Sequence, residues 1–362
     1  MLKLGMRRCK ADPNLYCHSS GDLYVLCYVD DLLVCGKHAV AVQFTKDLEK
    51  EVLLKIEAEL KPGKSVNFLG RVLRHNGDSV DIICMPQDYI TKTLDLYNMV
   101  KAKAVGTTGT TSFSHRLDLD NPLSTDEHKV YRTAVGKLLW LALIRPDMSC
   151  ATKELSRDLT APTNRSLLKL KHLLRYLAGT KDYVHRLRAG ITLSSNKCTL
   201  DLDCFVDSDW ACFQRTRKST SGVVVKLLNC PVDFCARTQG TIALSSGEAE
   251  LYAIGQGISE TLYVRNLILD AELAKKVKLH IYTDSTAGKS MATRFGSGKK
   301  TRHVELRFLY MQDLVSRGDL QIRKVHATEN CANPFTKYLD TETLKSHLGR
   351  LCVETVFRCF DL

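Results

Sequence analysis

Leu202-Asp203-Cys204-Phe205-Val206-Asp207, Val223-Val224-Val225, Ala243-Leu244-Ser245-Ser246-Gly247-Glu248-Ala249-Glu250-Leu251-Tyr252-Ala253-Ile254 and Leu279-His280-Ile281-Tyr282-Thr283-Asp284 decide how this 362-residue chain is read. The first and last are short apolar runs that each end in an aspartate, the pattern of a strand that delivers a carboxylate at the edge of a sheet. The β-branched triplet is a further strand. The third stretch opens a long helix that carries two glutamates. A basic turn with Arg215, Arg217 and Lys218 stands between the first two stretches. Two strand-end aspartates and one helix-borne glutamate suit a site for two divalent cations. Hard cations take oxygen ligands, and a metal pair clamps the attacking and leaving oxygens of a phosphodiester.

Within these stretches, Phe205-Val206-Asp207-Ser208-Asp209-Trp210-Ala211, Lys218-Ser219-Thr220-Ser221-Gly222, Ala243 to Glu250 and Tyr282-Thr283-Asp284-Ser285 stand in one order. Together they resemble the RNase H domain of a copia-type LTR retrotransposon Pol polyprotein. The resemblance implies an α/β fold, an RNase H-like mixed sheet flanked by helices. It implies metal-assisted hydrolysis of the RNA strand of an RNA–DNA hybrid, with Asp207, Glu250 and Asp284 holding two Mg²⁺ or Mn²⁺ ions. Glu248 has a sufficient structural role, because Ser245-Ser246-Gly247-Glu248 fits a capping box. Glu250 precedes Leu251-Tyr252-Ala253, similar to the Glu-Leu-x-Ala that follows the metal-binding glutamate of the family. Asp207 follows its strand directly, and Asp209 reads as a turn residue. Asn330-Cys331-Ala332-Asn333-Pro334-Phe335-Thr336-Lys337 resembles the family's terminal Ala-Asp-x-x-Thr-Lys motif, with Asn333 at the fourth catalytic position where an aspartate is expected. An amide oxygen still coordinates but brings no charge, so impaired nuclease activity is expected, and a decayed binding remnant is the competing reading.

Composition bounds the partner. With 52 Lys and Arg against 40 Asp and Glu, the formal charge is +12, which favours a polyanion such as an RNA–DNA hybrid or a template–primer duplex. There are 14 cysteines, but no Cys-x-x-Cys pair and no apolar signal segment in the first residues, so they read as reduced thiols of a soluble, intracellular protein, cytoplasmic or nuclear. No apolar run reaches membrane-spanning length. An aspartic protease or integrase is disfavoured by the absence of an Asp-Ser/Thr-Gly triplet and of a His/Cys zinc pattern.

Towards the N-terminus, Leu23 to Cys35 reads as two buried strands joined by a turn that carries Asp30 and Asp31. Aspartates are common turn formers, while Tyr28-Val29-Asp30-Asp31 also resembles the palm hairpin of a reverse transcriptase, which implies that both hold metal for nucleotidyl transfer. Only 27 residues precede Tyr28, too few for the third carboxylate and the fingers, so no polymerase activity is expected. A helix is predicted over 40–60, a strand over 68–73, a return strand at 80–83 after the Asn76-Gly77 turn signal, and a thumb-like helix over 87–99. Residues 103–121, rich in Thr, Ser and Gly, read as a linker. Helical segments follow from 131 to 159 and from Arg165 to Ala178. The second carries Arg165, Lys169, Lys171 and Arg175 with no acidic residue, and reads equally as a solvated face or a phosphate contact. Gly296 to His303 is a basic loop entering a helix, and Lys299, Lys300 and Arg302 are expected to touch nucleic acid along with Arg215, Arg217 and Lys218; a plain basic turn is the alternative. His303 and His326 match no assignable role. The expected organisation is an incomplete palm and thumb over 1–115, a helical connection over 116–197, an RNase H-like domain over 198–340 and a tail over 341–362.

Overall fold

The computed structural model describes the chain except for residues 78, 84–85, 112–118, 189–197, 214, 295–305 and 357–362; of 79, 83, 87 and 306–309 it describes the backbone alone. The chain begins with an antiparallel sheet of β1 (Met6–Arg8), β2 (Leu15–His18), β3 (Leu23–Tyr28) and β4 (Asp31–Gly36), in that order. Helix α1 (His38–Glu49) sets Phe44 and Leu48 against Met6, Leu23 and Val25. The hairpin is less buried than its sequence suggests: only Leu23 and Val25 are shielded fully, because α1 covers one face of the sheet alone. The helix predicted to reach residue 60 ends at Glu49, and Leu53 and Ile56 beyond it are exposed. Helical propensity persists there, but most helical stability comes from packing an apolar face, and these side chains meet no partner surface.

Strands β5 (Ser65–Phe68), β6 (Arg71–His75) and β7 (Ser79–Ile83) form two successive hairpins, followed by α2 (Gln87–Asp95). The single strand expected over 68–73 is divided by a two-residue turn at Leu69-Gly70, both at positive φ, the geometry that matches strand twist in tight hairpins. Three helices come next: α3 (Thr125–Ala142), α4 (Ser149–Ser156) and α5 (Asn164–Gly179). Helix α3 starts several residues ahead of its expected beginning at Tyr131. Ser124 and Glu127 close a reciprocal capping box at its N-terminus, which satisfies two otherwise orphaned amides. Tyr131, Leu138, Leu155, Leu170 and Leu174 meet in one buried helical core. Strand β8 (Tyr183–Arg188) then returns to pair antiparallel with β7.

The remainder builds β9 (Thr199–Ser208), β10 (Thr220–Leu227), β11 (Cys230–Thr238), α6 (Ser246–Asp270), β12 (Lys276–Thr283), α7 (Thr286–Thr293), α8 (Leu306–Ser316) and β13 (Leu320–Lys324). The sheet order is β11-β10-β9-β12-β13, with the first three strands antiparallel and β12 parallel to both β9 and β13. This is the RNase H-like mixed sheet that the resemblance implies. Leu200, Leu202, Cys204 and Val206 alternate along β9 and face the core beneath α6, as the two-residue period of a strand requires. Strand β10 is buried on both sides. Val223 and Val225 belong to that core, while Val224 packs with Phe335, Leu348 and Leu351 on the opposite face. Leu348 and Leu351 belong to the segment read as a tail, which folds into α9 (Thr341–Arg350) and β14 (Val353–Thr355). Strand β14 pairs with β8, so the second sheet runs β14-β8-β7-β6-β5 and draws on three distant parts of the chain.

Candidate metal centre

Strand register brings the first two carboxylates together. Val206 of β9 lies beside Thr283 of β12 in parallel pairing, so the next residues stand side by side: Asp284 directly after β12, and Asp207 still within β9, which runs one residue further than the expected strand end because Asp207 and Ser208 pair with β10. Glu250 comes from the second turn of α6, which is packed over β9. Ligand oxygens of Asp207, Glu250 and Asp284 all lie within 4.8 Å of one another. Two glycines let the elements around the cluster close in. A Cβ at Gly288 of α7 would stand 2.8 Å from the Glu250 Cβ, and one at Gly222, the β10 partner of Asp207, would stand 2.8 Å from the Phe335 Cβ. A side chain at Gly288 would push α7 away from Glu250, and one at Gly222 would push the 332–336 segment, with Thr336, away from β10.

The cluster is electrostatically loaded. Asp207 is 3% and Glu250 9% exposed. Burial, followed by the charges of Asp207 and Asp284, pushes the Glu250 carboxyl up to about 8, and its Oε2 has no hydrogen-bond partner. Burial likewise raises Asp207, with Lys337 and Thr336 opposing it and Asp284 adding to the rise. The Thr336 hydroxyl donates to Asp207, and the Lys337 Nζ stands 3.6 Å from its Oδ2. Ser285 caps α7 by accepting from the Gly288 amide at 3.0 Å, which fixes the chain directly after Asp284. Buried like charges are unfavourable without cations, and this all-oxygen donor set fits a hard divalent ion.

The neighbouring acids have other work. Glu248 accepts from the Tyr252 hydroxyl and, at 3.0 Å, from the Leu244 amide, while Ser245 accepts from the Glu248 amide at 3.2 Å. The capping geometry is as expected except that Glu248 reaches Leu244, one residue before the cap. Asp209 accepts from the Thr220 amide of β10. Asn333 lies in a short 3₁₀ turn; its Nδ2 donates to the Ala327 carbonyl at 2.6 Å, and its buried Oδ1 has no partner. Asp30 and Asp31 sit exposed at the β3–β4 tip, and among the described residues neither belongs to a group of three potential ligands. Arg215 and Arg217 are exposed on the turn between β9 and β10, with Lys218 half-buried. Lys299, Lys300, Arg302 and His303 lie outside the described residues. His326 has a structural partner, its Nδ1 lying 2.8 Å from the Thr328 hydroxyl. On α5, Arg165 pairs with Asp120 at 3.0 Å and Arg175 donates to the Lys103 carbonyl at 2.8 Å.

Sequence reasoning missed Asn330, Thr336 and Lys337. Asn330 is wholly buried; its Nδ2 donates to the Val206 carbonyl at 2.8 Å and its Oδ1 accepts from the Ala332 amide at 3.1 Å. It pins the 330–337 segment to β9. The Thr-Lys pair was visible in the motif, but nothing local shows that it reaches a strand well over a hundred residues earlier.

Comparison with known proteins agrees with the resemblance. Over 359 residues the chain is 28% identical to the retrovirus-related Pol polyprotein from transposon RE1 of Arabidopsis thaliana, which covers 98% of this chain and 23% of that protein. It is 30% identical over 268 residues to the transposon Ty5-1 protein YCL074W of Saccharomyces cerevisiae, covering 71% of this chain and 80% of that protein. The chain spans about a quarter of the length of the Pol polyproteins it matches. Among solved structures, the N-terminal RNase H domain of rv2228c from Mycobacterium tuberculosis, 10% identical, aligns with a TM-score of 0.28 over 41% of this chain and 97% of that one, a score that adds nothing to the strand order above. No family model matches.

Proposed function

The chain belongs to the Pol polyproteins of copia-type retrotransposons, and we propose that residues 198–340 act within it as an RNase H-type endoribonuclease on RNA–DNA hybrids. The observation that carries the reading is the meeting of Asp207, Glu250 and Asp284, from two strands and a helix, with their oxygens within 4.8 Å. Asp207, Glu250 and Asp284 would hold Mg²⁺ or Mn²⁺. When bound, such a cation supplies Lewis acidity toward the scissile phosphate and lowers the pKa of the attacking water. Thr336 orients the Asp207 carboxylate by donating to it. Lys337, half-exposed beside Asp207, adds positive charge where a phosphate would approach. Selectivity for RNA would rest on contacts to the ribose hydroxyl, and Arg215, Arg217 and Lys218 would steer the backbone, with Lys299, Lys300 and Arg302 as further candidates.

We assign residues 1–115 to a palm and thumb portion and 116–197 to a connection. Asp30 and Asp31 offer two carboxylates without a third close by among the described residues, so a primed template with dNTPs and Mg²⁺ should give no extension; clear extension would overturn that part of the reading. A second reading, a binding module that grips hybrid without cutting it, is favoured by the amide of Asn333 at the fourth position. A labelled hybrid incubated with Mg²⁺ and, separately, with Mn²⁺ separates the two. Cleavage of the RNA strand that is lost in Asp207→Asn supports the nuclease, whereas retention of the hybrid uncut under both conditions supports the module.

A further inference from the structure

Trp210 is held in place yet left half in solvent. Its neighbours are fixed: the Asp209 amide donates to the Thr220 carbonyl at 3.2 Å, and the Ala211 amide donates to the Ser219 hydroxyl at 3.0 Å. Its own indole N–H donates to the Ala243 carbonyl at 3.2 Å, which lays the side chain against the segment that leads into α6. The ring is nevertheless 52% exposed, and the residues flanking Ala243 are exposed as well, Ile242 at 48% and Leu244 at 68%. These large apolar side chains form a ridge along one edge of the molecule. A single exposed apolar residue is ordinary, whereas a cluster of them marks an interaction surface. Fixing such side chains costs conformational entropy, and here most of their surface gains no packing within the chain.

The place of the ridge says what covers it. Trp210 lies on the connection that leaves β9 just after Asp207, and Leu244 lies at the entry to α6 just before Glu250. The Leu244 amide donates to Glu248 in the first turn of that helix at 3.0 Å. The ridge is thus continuous with the two elements that bring Asp207 and Glu250 to the proposed metal centre. The same connection carries Arg215 and Arg217, both exposed, cations suited to a phosphate backbone. We propose that Trp210, with Ile242 and Leu244, is a substrate contact that lies in the minor groove of the RNA–DNA hybrid, against the sugars beside the scissile phosphate. This rests on the nuclease reading and deepens it. An A-like duplex has a wide, shallow minor groove that admits such a ridge and a deep, narrow major groove that does not. The indole N–H is already committed to Ala243, so the ring offers apolar surface without hydrogen-bond readout, a contact independent of base sequence. Being uncharged, it releases no counterions, unlike the two arginines.

The test is binding of a fluorescently labelled RNA–DNA hybrid to the full chain at several salt concentrations, in the Asp207→Asn background so that the strand stays uncut. Trp210→Ala should weaken binding about tenfold, the scale of an aromatic contact to nucleic acid, equally for unrelated sequences and with the salt dependence unchanged. Arg215→Ala with Arg217→Ala should instead flatten the salt dependence. Trp210→Phe, which keeps an aromatic face and loses the bond to Ala243, should retain most of the affinity. The chain has two tryptophans, so Trp140→Phe leaves Trp210 as the sole indole, and its emission should be quenched as hybrid is added. With Asp207 intact and no nucleic acid present, Trp210→Ala should bind Mg²⁺ as the wild-type chain does. Hybrid affinity untouched by Trp210→Ala, Trp210 emission untouched by saturating hybrid, or a loss of hybrid affinity matched by a loss of Mg²⁺ affinity, as a residue that only pins the start of α6 would give, would each overturn the proposal while leaving the nuclease reading standing. A wild-type chain that neither binds nor cuts the hybrid would remove the nuclease reading itself.

Discussion

Glu250 stands far from its ordinary chemistry, its carboxyl pushed up to about 8 first by burial and then by Asp207 and Asp284. The consequence for stability has a definite sign. Between an unfolded value near 4.5 and a folded value near 8, the native chain holds a proton that the unfolded chain has lost. Stability of the metal-free protein therefore falls as pH rises through that window, and Asp207, also raised by burial, acts in the same sense. Denaturant melts in chelator across this range should show the decline, and Glu250→Gln should flatten it; a wild-type profile already flat would contradict the burial argument. At the high end, millimolar Mg²⁺ or Mn²⁺ should restore stability, because a bound cation replaces the proton. Thr336 acts one step out from the carboxylates. Thr336→Val removes its donation to Asp207 and should weaken metal affinity by roughly 10–100-fold, measured by calorimetric titration with Mg²⁺. An unaltered affinity would leave Thr336 a packing residue. At this scale the sequence was informative: the capping box and strand ends set Glu248 and Asp209 apart, and the resemblance to the family pointed to Asp207, Glu250 and Asp284, which the fold brings together. The contacts of Asn330 and Lys337 were not legible, because their partners lie on β9.

Elements were legible where a local rule governs them and obscure where packing does. The strands β9, β10 and β12 and the helix α6 follow from apolar alternation and a cap. Helix α1 was overextended because propensity continues past Glu49 while the surface to pack on does not. The turn at Leu69-Gly70 was overlooked because Leu69 is an unusual occupant of positive φ. The largest omission was α9 with β14, short and of mixed composition. Their apolar residues Leu348, Leu351 and Val353 close over the outer face of β10 together with Phe335. Phe335 is wholly buried, so Phe335→Ala should cost about 3–5 kcal/mol through lost burial and the cavity left behind. Because the same segment carries Thr336 and Lys337, the variant should also lose metal affinity. Equilibrium unfolding with and without Mg²⁺ reads both effects, and a loss under about 1 kcal/mol would show that this layer collapses to fill the gap.

Across the whole molecule, contacts tie segments that the sequence reads as separate. Arg186 of β8, buried, donates to Asp81 of β7 at 2.6 Å and to Glu354 of β14 at 3.0 Å, joining the three strands by charge as well as by backbone pairing. Arg157, directly after α4, donates to Thr238 at the end of β11 at 3.0 Å and lies 4.2 Å over the Phe213 ring, so the helical core rests against the β11-β10-β9-β12-β13 sheet. Arg186→Ala leaves the buried Asp81 without its cation and should cost roughly 3–5 kcal/mol; Arg186→Ala with Asp81→Ala should recover much of that loss. Denaturant midpoints of the single and double variants test the pair, and additive losses would deny the coupling. No described helix is long and apolar enough to cross a membrane. By itself the sequence determined the strand pattern, because apolar alternation is local to each strand, and its resemblance to the copia-type family supplied the expectation of three acids and of a departure at Asn333. Only the tertiary structure decided that the acids converge, that Thr336 and Lys337 attend Asp207, and that α9 and β14 complete the molecule. Those depend on which distant backbones lie side by side, a matter set by burial and register over the entire chain.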